Sequence, residues 1–496
     1  MAENADRITR QALGRTASLG DLYDAKTDRF CGTNLFKATP HPSAIQKQDK
    51  PNSDIDVSFV TSSSTDEKLS KLDVNGELKL SFLAGMVELG GSAKYLSEKK
   101  NSFKSVESAA VCKVTTVMEK LDIPRYGDVS GDALKHKTAT HVVEQINWGA
   151  NCTIIVTDRN SDNNEKKEVN GWLQANLQKC LSYISPKAEG KLELTEQDRK
   201  IWENFSLKIF GDVLPEEVPT TVDGAKEMMR NLPRLIQNSN DGKGIPLVYV
   251  MFPLSSLALP NNLKIKPIKK IDKGQIIKCI RTYDHITELI QKAHDQVDEM
   301  NNRSYCVAGS ELSEACYIAE TLEAQEGSFR SKLEEVIIAV RSGNNSSAIT
   351  DLCTKNREEA KETFEKCEKI FNAAISRITF AKHCEEFGAN HFKPPADAHI
   401  AKACCDFENV YVLFHNKGYS DRVQPYQSEF MKLASDSKND KKTACLVTWC
   451  EQSEDSIRIE CHNKGKLLYN DVTKKPQAKD SSGYFQRIVS TICVVM

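Results

Sequence analysis

The sequence predicts a multidomain α+β protein, and three observations carry that expectation. Up to about residue 265 short β-rich runs mix with helical ones, residues 270–386 keep helical spacing, and the remainder alternates strand with helix. At 496 residues the chain also exceeds what one hydrophobic core usually serves, so several cores are expected.

In the first region the runs IDVSFV (55–60), CTIIVTD (152–158) and IPLVYVMF (245–252) have the β-branched richness of strands. A Ser/Thr cluster, Thr61 to Thr65, precedes an expected helix start, because Ser64-Thr-Asp-Glu67 has the spacing of a capping box. From residue 266 to 386, segments such as TKNREEAKETFEKCEKIFNAAISRI predict a four-helix bundle. The loop RSGNNSS (341–347) interrupts it, and two prolines in NHFKPPADAH (390–399) end it. Beyond, NVYVLFHN (409–416), ACLVTWC (444–450) and SIRIEC (456–461) read as strands, with a helix around 425–437, giving a small α/β domain over 387–490. No fixed-period repeat is present.

Composition excludes some function classes. With 40% hydrophobic and 27% charged residues and a net charge of -2, the chain has no electrostatic signature of a nucleic-acid partner. No apolar run approaches the ~18 residues of a spanning helix, and MAENADRITRQ lacks an apolar secretion segment, so the cytoplasm is the expected compartment. The 16 cysteines then read as free or buried thiols, and the sequons at Asn151, Asn204, Asn302 and Asn345 matter only on a secretory route.

Catalytic patterns are missing from the sequence. The strand VYVLFHN is followed by Lys417-Gly-Tyr-Ser and not by Cys-x-x-Cys, and the adjacent Cys404 and Cys405 precede it. Cys445, Cys450, Cys461 and His462 fit no zinc-site spacing, and the other histidines, including His136 and His141, are scattered. DGKG (241–244) lacks the length and following Ser/Thr of a phosphate loop, and no Gly-x-Ser-x-Gly or His-Glu-x-x-His occurs. No enzyme activity, cofactor or metal is therefore expected.

Two stretches carry two periods at once. Val74, Leu78, Leu80 and Phe82 alternate with Asp73, Asn75, Glu77, Lys79 and Ser81, as on an amphipathic strand. Val169, Leu173, Ala175, Leu177 and Leu181 repeat the device against Asn170, Gln174, Asn176 and Gln178, although Trp172 and Lys179 interrupt it. Val74, Leu78, Phe82 and Met86, like Val169, Leu173, Leu177 and Leu181, also lie at steps of four, as on a helix. The positions a pure helix would fill with apolar residues include Glu77, Ser81 and Asn176. Two readings stand: ordinary amphipathic surface elements, or helices able to become the ~9 to 11-residue strands of a membrane β-hairpin. Gly85, Gly90 and Gly91 would loosen the first stretch as a hinge. The lysines of YLSEKKNSFK (95–104) sit either in a solvated loop or against anionic headgroups at a hairpin tip.

LGRTASLGDLYDAKTDRF (13–30) resembles the opening of the stonustoxin and verrucotoxin family of fish cytolysins. The likeness continues through SSSTDEKL, LKLSFLAGMVELGGSAKYL (78–96), FSLKIFGDV (205–213) and PTTVDGAKEMMRNLPRL (219–235), and extends over most of the chain. It implies a perforin-like domain over 1–265 with a bent antiparallel sheet, then a bundle like a focal-adhesion-targeting (FAT) domain, then a thioredoxin-like domain. It also implies that residues of about 62–105 and 159–200 are helical clusters that become transmembrane hairpins. The expected partners are then a lipid membrane and a homo-oligomer or a homologous second subunit. Two features depart from the family. The chain stops after the thioredoxin-like part, where relatives continue into a PRY-SPRY domain. WGANCTIIV (148–156) keeps Trp148-Gly149 of the perforin signature, with Ala150, Asn151 and Cys152 replacing the rest.

The last four residues, Cys493-Val494-Val495-Met496, match a prenylation signal in which the terminal Met favours farnesyl; otherwise they end a strand, IVSTICVV. The prenyl reading adds a prenyltransferase as partner and a lipid-anchored cytoplasmic location, with non-classical secretion as the alternative. One lipid chain binds weakly, so stable residence needs a second signal, which a perforin-like domain would supply. The function expected is membrane association, with oligomerisation into a β-barrel pore. The alternative is a non-lytic, prenylated scaffold or immune-type protein that keeps the fold for interaction.

Overall fold

A computed structural model describes residues 7–60, 64–98, 102–123, 129–131, 133, 136–158, 205–257, 268–393, 396–417, 423–450 and 457–474. The chain divides into two units, one of residues 1–295 with 320–364 and the other of 296–319 with 365–496.

The first unit is built on an eight-stranded sheet. Its strands are β1 (Ile8–Gln11), β2 (Asp21–Asp24), β3 (Arg29–Asn34), β4 (Ile45–Val60), β5 (Glu107–Leu121), β6 (His141–Asp158), β7 (Phe205–Gly211) and β8 (Ile245–Pro253). The 18-residue β6 is the spine, pairing antiparallel with β5, β7, β8 and β2. All three strands read from composition lie in this sheet, within β4, β6 and β8. The short β1, β2 and β3 escaped that reading, being too brief to show a period.

One line of irregularity crosses the sheet. Register shifts fall between Asp49 and Asp54 in β4, between Thr115 and Met118 in β5, and between Asn147 and Trp148 in β6. Gly149 sits on that line because nothing larger fits: a Cβ there would lie 1.9 Å from the Val114 carbonyl oxygen. This gives the Trp148-Gly149 pair a mechanical meaning, since Trp148 Nε1 donates to Glu119 Oε2 at 2.9 Å on the neighbouring strand.

Two sets of helices cover the two faces of the sheet. Thr221 caps α3 (Val222–Gln237) by accepting from the Gly224 amide at 3.2 Å. Met228, Met229, Leu232 and Ile236 of α3 pack in one core with Ala110, Cys112 and Val114 of β5 and Cys152, Ile154 and Val156 of β6. The alternate residues of β5 face the other way, toward the first cluster, which comprises α1 (Thr65–Lys71), α2 (Gly76–Leu83) and a 3-10 segment (Gly91–Ser97). A second core, with Leu22, Tyr23, Phe36, Val142, Tyr249 and Met251, holds the end of the sheet near β2.

Three long helices follow: α4 (Lys273–Asn302), α5 (Gly309–Arg341) and α6 (Ser347–Glu386). The expectation of four is corrected to three among the described residues. Without a proline or glycine between Ser347 and Glu386, nothing breaks α6 over its 40 residues. The expected break at RSGNNSS does separate α5 from α6.

The second unit contains a five-stranded sheet in the order β13-β12-β10-β11-β9. Its strands are β9 (Asn390–Phe392), β10 (Asn409–Asn416), β11 (Thr443–Cys450), β12 (Arg458–Asn463) and β13 (Lys466–Tyr469). β10 pairs parallel with β11, and β11 with β9, whereas β12 and β13 run antiparallel. Helix α7 (Asp397–Asp406) buries Ile400 and Ala403 against Val410, Val412 and Leu446, and α8 (Val423–Ser437) also packs on the sheet. The three strands and one helix expected here are present.

Candidate functional site

The first cluster occupies the connection between β4 and β5, and the 46 residues after Asp158 connect β6 to β7. Val60 faces Ala109, Glu107 faces Thr157, and Asp158 faces Phe205. Both connections therefore leave the same end of four consecutively paired antiparallel strands, β4-β5-β6-β7. Any chain in them that became extended would lengthen two neighbouring hairpins.

The cluster is compact and helical, not extended. Val74, Leu78, Leu80 and Phe82 are 2%, 0%, 0% and 7% exposed, so the greasy face is hidden. Its helices are shorter than the four-step spacing suggests. Asp73, at a φ of +56°, breaks the chain between α1 and α2, and Gly85, at a φ of +76°, ends the segment after α2. Gly90 meets Gly14 backbone to backbone, and a Cβ on Gly91 would lie 2.4 Å from Asp212 Oδ1. These glycines thus have roles in the compact form, beside any as a hinge.

The polar residues of α2 also have roles there. Ser81 is fully buried and donates to Asp28 Oδ2 at 2.5 Å. Asp28, fully buried in the β2–β3 turn, also accepts from Arg10 Nε at 2.8 Å and Tyr23 Oη at 2.6 Å. Arg341, the last residue of α5 and itself fully buried, places a guanidinium nitrogen 3.0 Å from Asp28 Oδ2. Arg341 donates to the Glu77 carbonyl at 3.0 Å, and Arg10 pairs with the Glu77 carboxylate at 3.3 Å. At the other end of α2, Arg330 Nε donates to the Leu83 carbonyl at 2.9 Å. Two arginines thus balance two carboxylates in the interior, and α2 is clamped at its start, middle and end.

Burial alone would raise the Asp28 pKa. The Arg10 and Arg341 charges, helped by the Ser81 and Tyr23 hydroxyls, outweigh it and hold the carboxyl well below the usual range. The clamp is an electrostatic fastening, in which the arginines donate to the carboxylates and to backbone carbonyls while Arg341 Nε, buried, has no partner among the described residues.

Elsewhere the cluster meets the sheet through polar contacts. Lys68 pairs with Glu107 at 3.0 Å, Lys113 pairs with Asp73, and Asp212 accepts from the Ser92 and Asn151 amides at 2.7 Å each. A cavity of about 120 Å³ lies between them, lined in part by Asp73, Lys113, Asn147, Asn151 and Asp212. The expected start of α1 is in place, but Ser64 does not form a capping box. Asp284 of α4 substitutes, accepting from the Thr65 amide at 3.1 Å.

Val169, Leu173, Ala175, Leu177, Leu181 and Cys493 lie outside the described residues. Sequence reasoning missed Arg10, Asp28 and Arg341, which are distant in the chain. The only signal was Glu77 and Ser81 interrupting an apolar helix face.

A family model described as "SNTX, MACPF/CDC-like domain" matches residues 7–276. The chain is 28% identical to Stonustoxin subunit alpha of Synanceia horrida, over 76% of this chain and 53% of that protein. It is 27% identical to Cytolytic toxin-alpha of Scorpaena plumieri, over 92% and 64% respectively. It spans between half and two thirds of the length of these relatives. A solved stonustoxin structure superimposes with a TM-score of 0.61 at 19% identity, covering 95% of this chain and 70% of that one, which shows a shared fold.

Proposed function

Because the chain belongs to the SNTX, MACPF/CDC-like domain family, we propose that it is a membrane-acting, perforin-like protein whose connections between β4 and β5 and between β6 and β7 open into hairpins that assemble a β-barrel. The observation that carries this reading is topological: both connections leave the same end of a continuous antiparallel path. Extending them adds strands to a ladder already formed, so the new backbone groups within and between the two hairpins have neighbours, and only the two outer edges need partners from outside the chain, as a bilayer demands. Val74, Leu78, Leu80 and Phe82 in the first connection, and Val169, Leu173, Ala175, Leu177 and Leu181 in the second, are the lipid-facing candidates, with Gly85, Gly90 and Gly91 as the hinge. Closure of the barrel requires further subunits, either copies of this chain or a homologous second subunit. The printed names of the relatives include alpha and beta subunits, which fits the latter. That they are named as toxins favours non-classical secretion over a cytoplasmic location.

The proposed domain order is perforin-like over 1–265, FAT-like over 266–386, thioredoxin-like over 387–490 and a tail over 491–496. For the third domain the support is the strand order: numbered along the chain, the second sheet runs 5-4-2-3-1 with a parallel centre.

Dye release from liposomes tests the function. Gly76 lies within reach of α4, a Cβ there falling 3.4 Å from Ile276 Cδ1. A Gly76→Cys/Ile276→Cys pair should block leakage when oxidised and restore it on reduction. Leakage from the oxidised form would overturn the mechanism.

A second reading rests on the Cys493-Val-Val-Met ending: a non-lytic scaffold or immune-type protein held at membranes by a farnesyl chain, with a prenyltransferase as partner. Cys493→Ser should then move the protein off cell membranes, and unchanged partitioning would dismiss the anchor.

A further inference from the structure

Beyond the bulge of β4 the pairing of β4 with β5 is regular. From Asp54 with Thr115 to Val60 with Ala109, paired residue numbers add to 169. We infer that the first hairpin extends this ladder in unchanged register, so that the chain turns at Ala84-Gly85 and one defined face meets lipid hydrocarbon. The inference rests on the proposed conversion and specifies its geometry.

Continuing the count sets Val74 opposite Tyr95, Leu80 opposite Leu89 and Phe82 opposite Val87. Gly76 faces Ala93, and Leu78 faces Gly91. Residues directly opposite in a ladder share a face, so the apolar alternation of one arm coincides with that of the other. A register off by one residue would instead set Leu78 opposite Ser92 and Phe82 opposite Glu88, or Val74 opposite Lys94 and Leu80 opposite Glu88, mixing the two faces. The reverse face receives Asn75 with Lys94, Glu77 with Ser92 and Ser81 with Glu88, all suited to a wet lumen. Its apolar exceptions are Leu96, opposite Asp73, and the Leu83–Met86 pair beside the turn.

Three features suit this register. Gly85 occupies the second turn position, and its φ of +76° is one that a turn can demand and only glycine adopts freely. The arms 74–83 and 86–95 are ten residues each, a length of about 33 Å that tilts into the ~25 Å apolar band of a membrane barrel. Tyr95 falls at the near edge of that band, where aromatic girdles lie. In the compact form its hydroxyl is buried with no hydrogen-bond partner among the described residues, whereas at a membrane interface it would reach water. The register also moves the lysines after Tyr95 from the hairpin tip to its base.

Cross-linking on liposomes tests the register. Lys94→Cys with Asn75→Cys obeys the count, whereas Asp73→Cys with Lys94→Cys, and Asp73→Cys with Glu98→Cys, are each offset by two residues. None of these residues is buried, and because Asp73 pairs with Lys113 and breaks α1 from α2, circular dichroism of each soluble variant checks that its helices are kept before lipid is added. Disulfides need Cβ atoms about 4 Å apart, so the first pair should cross-link about tenfold more than either offset pair. Mass spectrometry of the linked peptides separates this bond from the 16 native cysteines. An environment-sensitive fluorescent amino acid should shift to the blue at Leu89 and not at Glu88. Preferential cross-linking of an offset pair, or a blue shift at Glu88 alone, overturns the register while leaving pore formation intact. Absence of any spectral change, together with absence of leakage, overturns the pore-forming reading and the register with it.

Discussion

The two faces of the first sheet are covered differently. On one, α3 lays methionine, leucine and isoleucine against alanine, cysteine and branched aliphatic residues, and one helical period suffices. On the other, the first cluster buries Val74, Leu78, Leu80 and Phe82 as well, but it is in addition fastened by Asp28, Arg10 and Arg341, bridged by Lys68–Glu107 and Lys113–Asp73, and set over a cavity. Apolar packing is lost only by exposing surface to water, a cost spread over many atoms. A charged clamp fails when a single partner is withdrawn. The cover formed by α1 and α2 thus has a single point of failure that the α3 cover lacks.

The largest test of this contrast is Asp28→Ala, which leaves two arginines buried without their shared carboxylate. It should cost about 3–5 kcal/mol in denaturant unfolding, with protease cleavage in 64–98 appearing before cleavage near α3. Next, Met229→Ala on the α3 face should cost about 2–5 kcal/mol through a cavity, yet leave cleavage in 64–98 no more favoured than cleavage elsewhere. If Met229→Ala frees the cluster as readily as Asp28→Ala does, the two faces are not distinct.

Acid separates the clamp from the second unit. The folded Asp28 pKa is depressed, so its contribution is whole above the unfolded value of about 3.9 and is lost as pH falls below it. In the second unit burial pushes His391 down to about 4, and its Nδ1 accepts from Trp449 Nε1 at 3.1 Å. An unfolded histidine takes a proton near pH 6.5, so stability there falls as pH drops from about 6.5 to 4, by roughly 1–3 kcal/mol. Tryptophan fluorescence and proteolysis should therefore register the His391 region first and the 64–98 segment only under stronger acid. The smallest effect belongs to Asp66→Asn, which removes an ion pair with Lys79 whose Asp66 side chain is 55% exposed; below about 1 kcal/mol is expected.

Much of the fold was legible. Strands such as 409–416 stand out because β-branched and aromatic residues run unbroken between polar flanks, and Asn409–Asn416 is the strand observed. Helix number was less so, since one break signal was visible at Ser342-Gly343, and the turn after Asn302 has no proline to announce it. At the candidate site the apolar alternation was readable because it is local. The clamp was not, because Arg341 meets Asp28 across more than three hundred residues. Polar Glu77 and Ser81 looked like marks of a latent strand; in the compact form they complete the clamp, which accounts for them without any second state.

The transverse line of bulges through β4, β5 and β6 has a further consequence for register. Four β4 residues, 50–53, and one β5 residue, 116, are skipped there, so the ladder on either side keeps its own phase. The Ile45–Leu121 end and the Val60–Ala109 end are thus two separately registered parts of one ladder, so a change of pairing in one does not by itself dictate the pairing of the other.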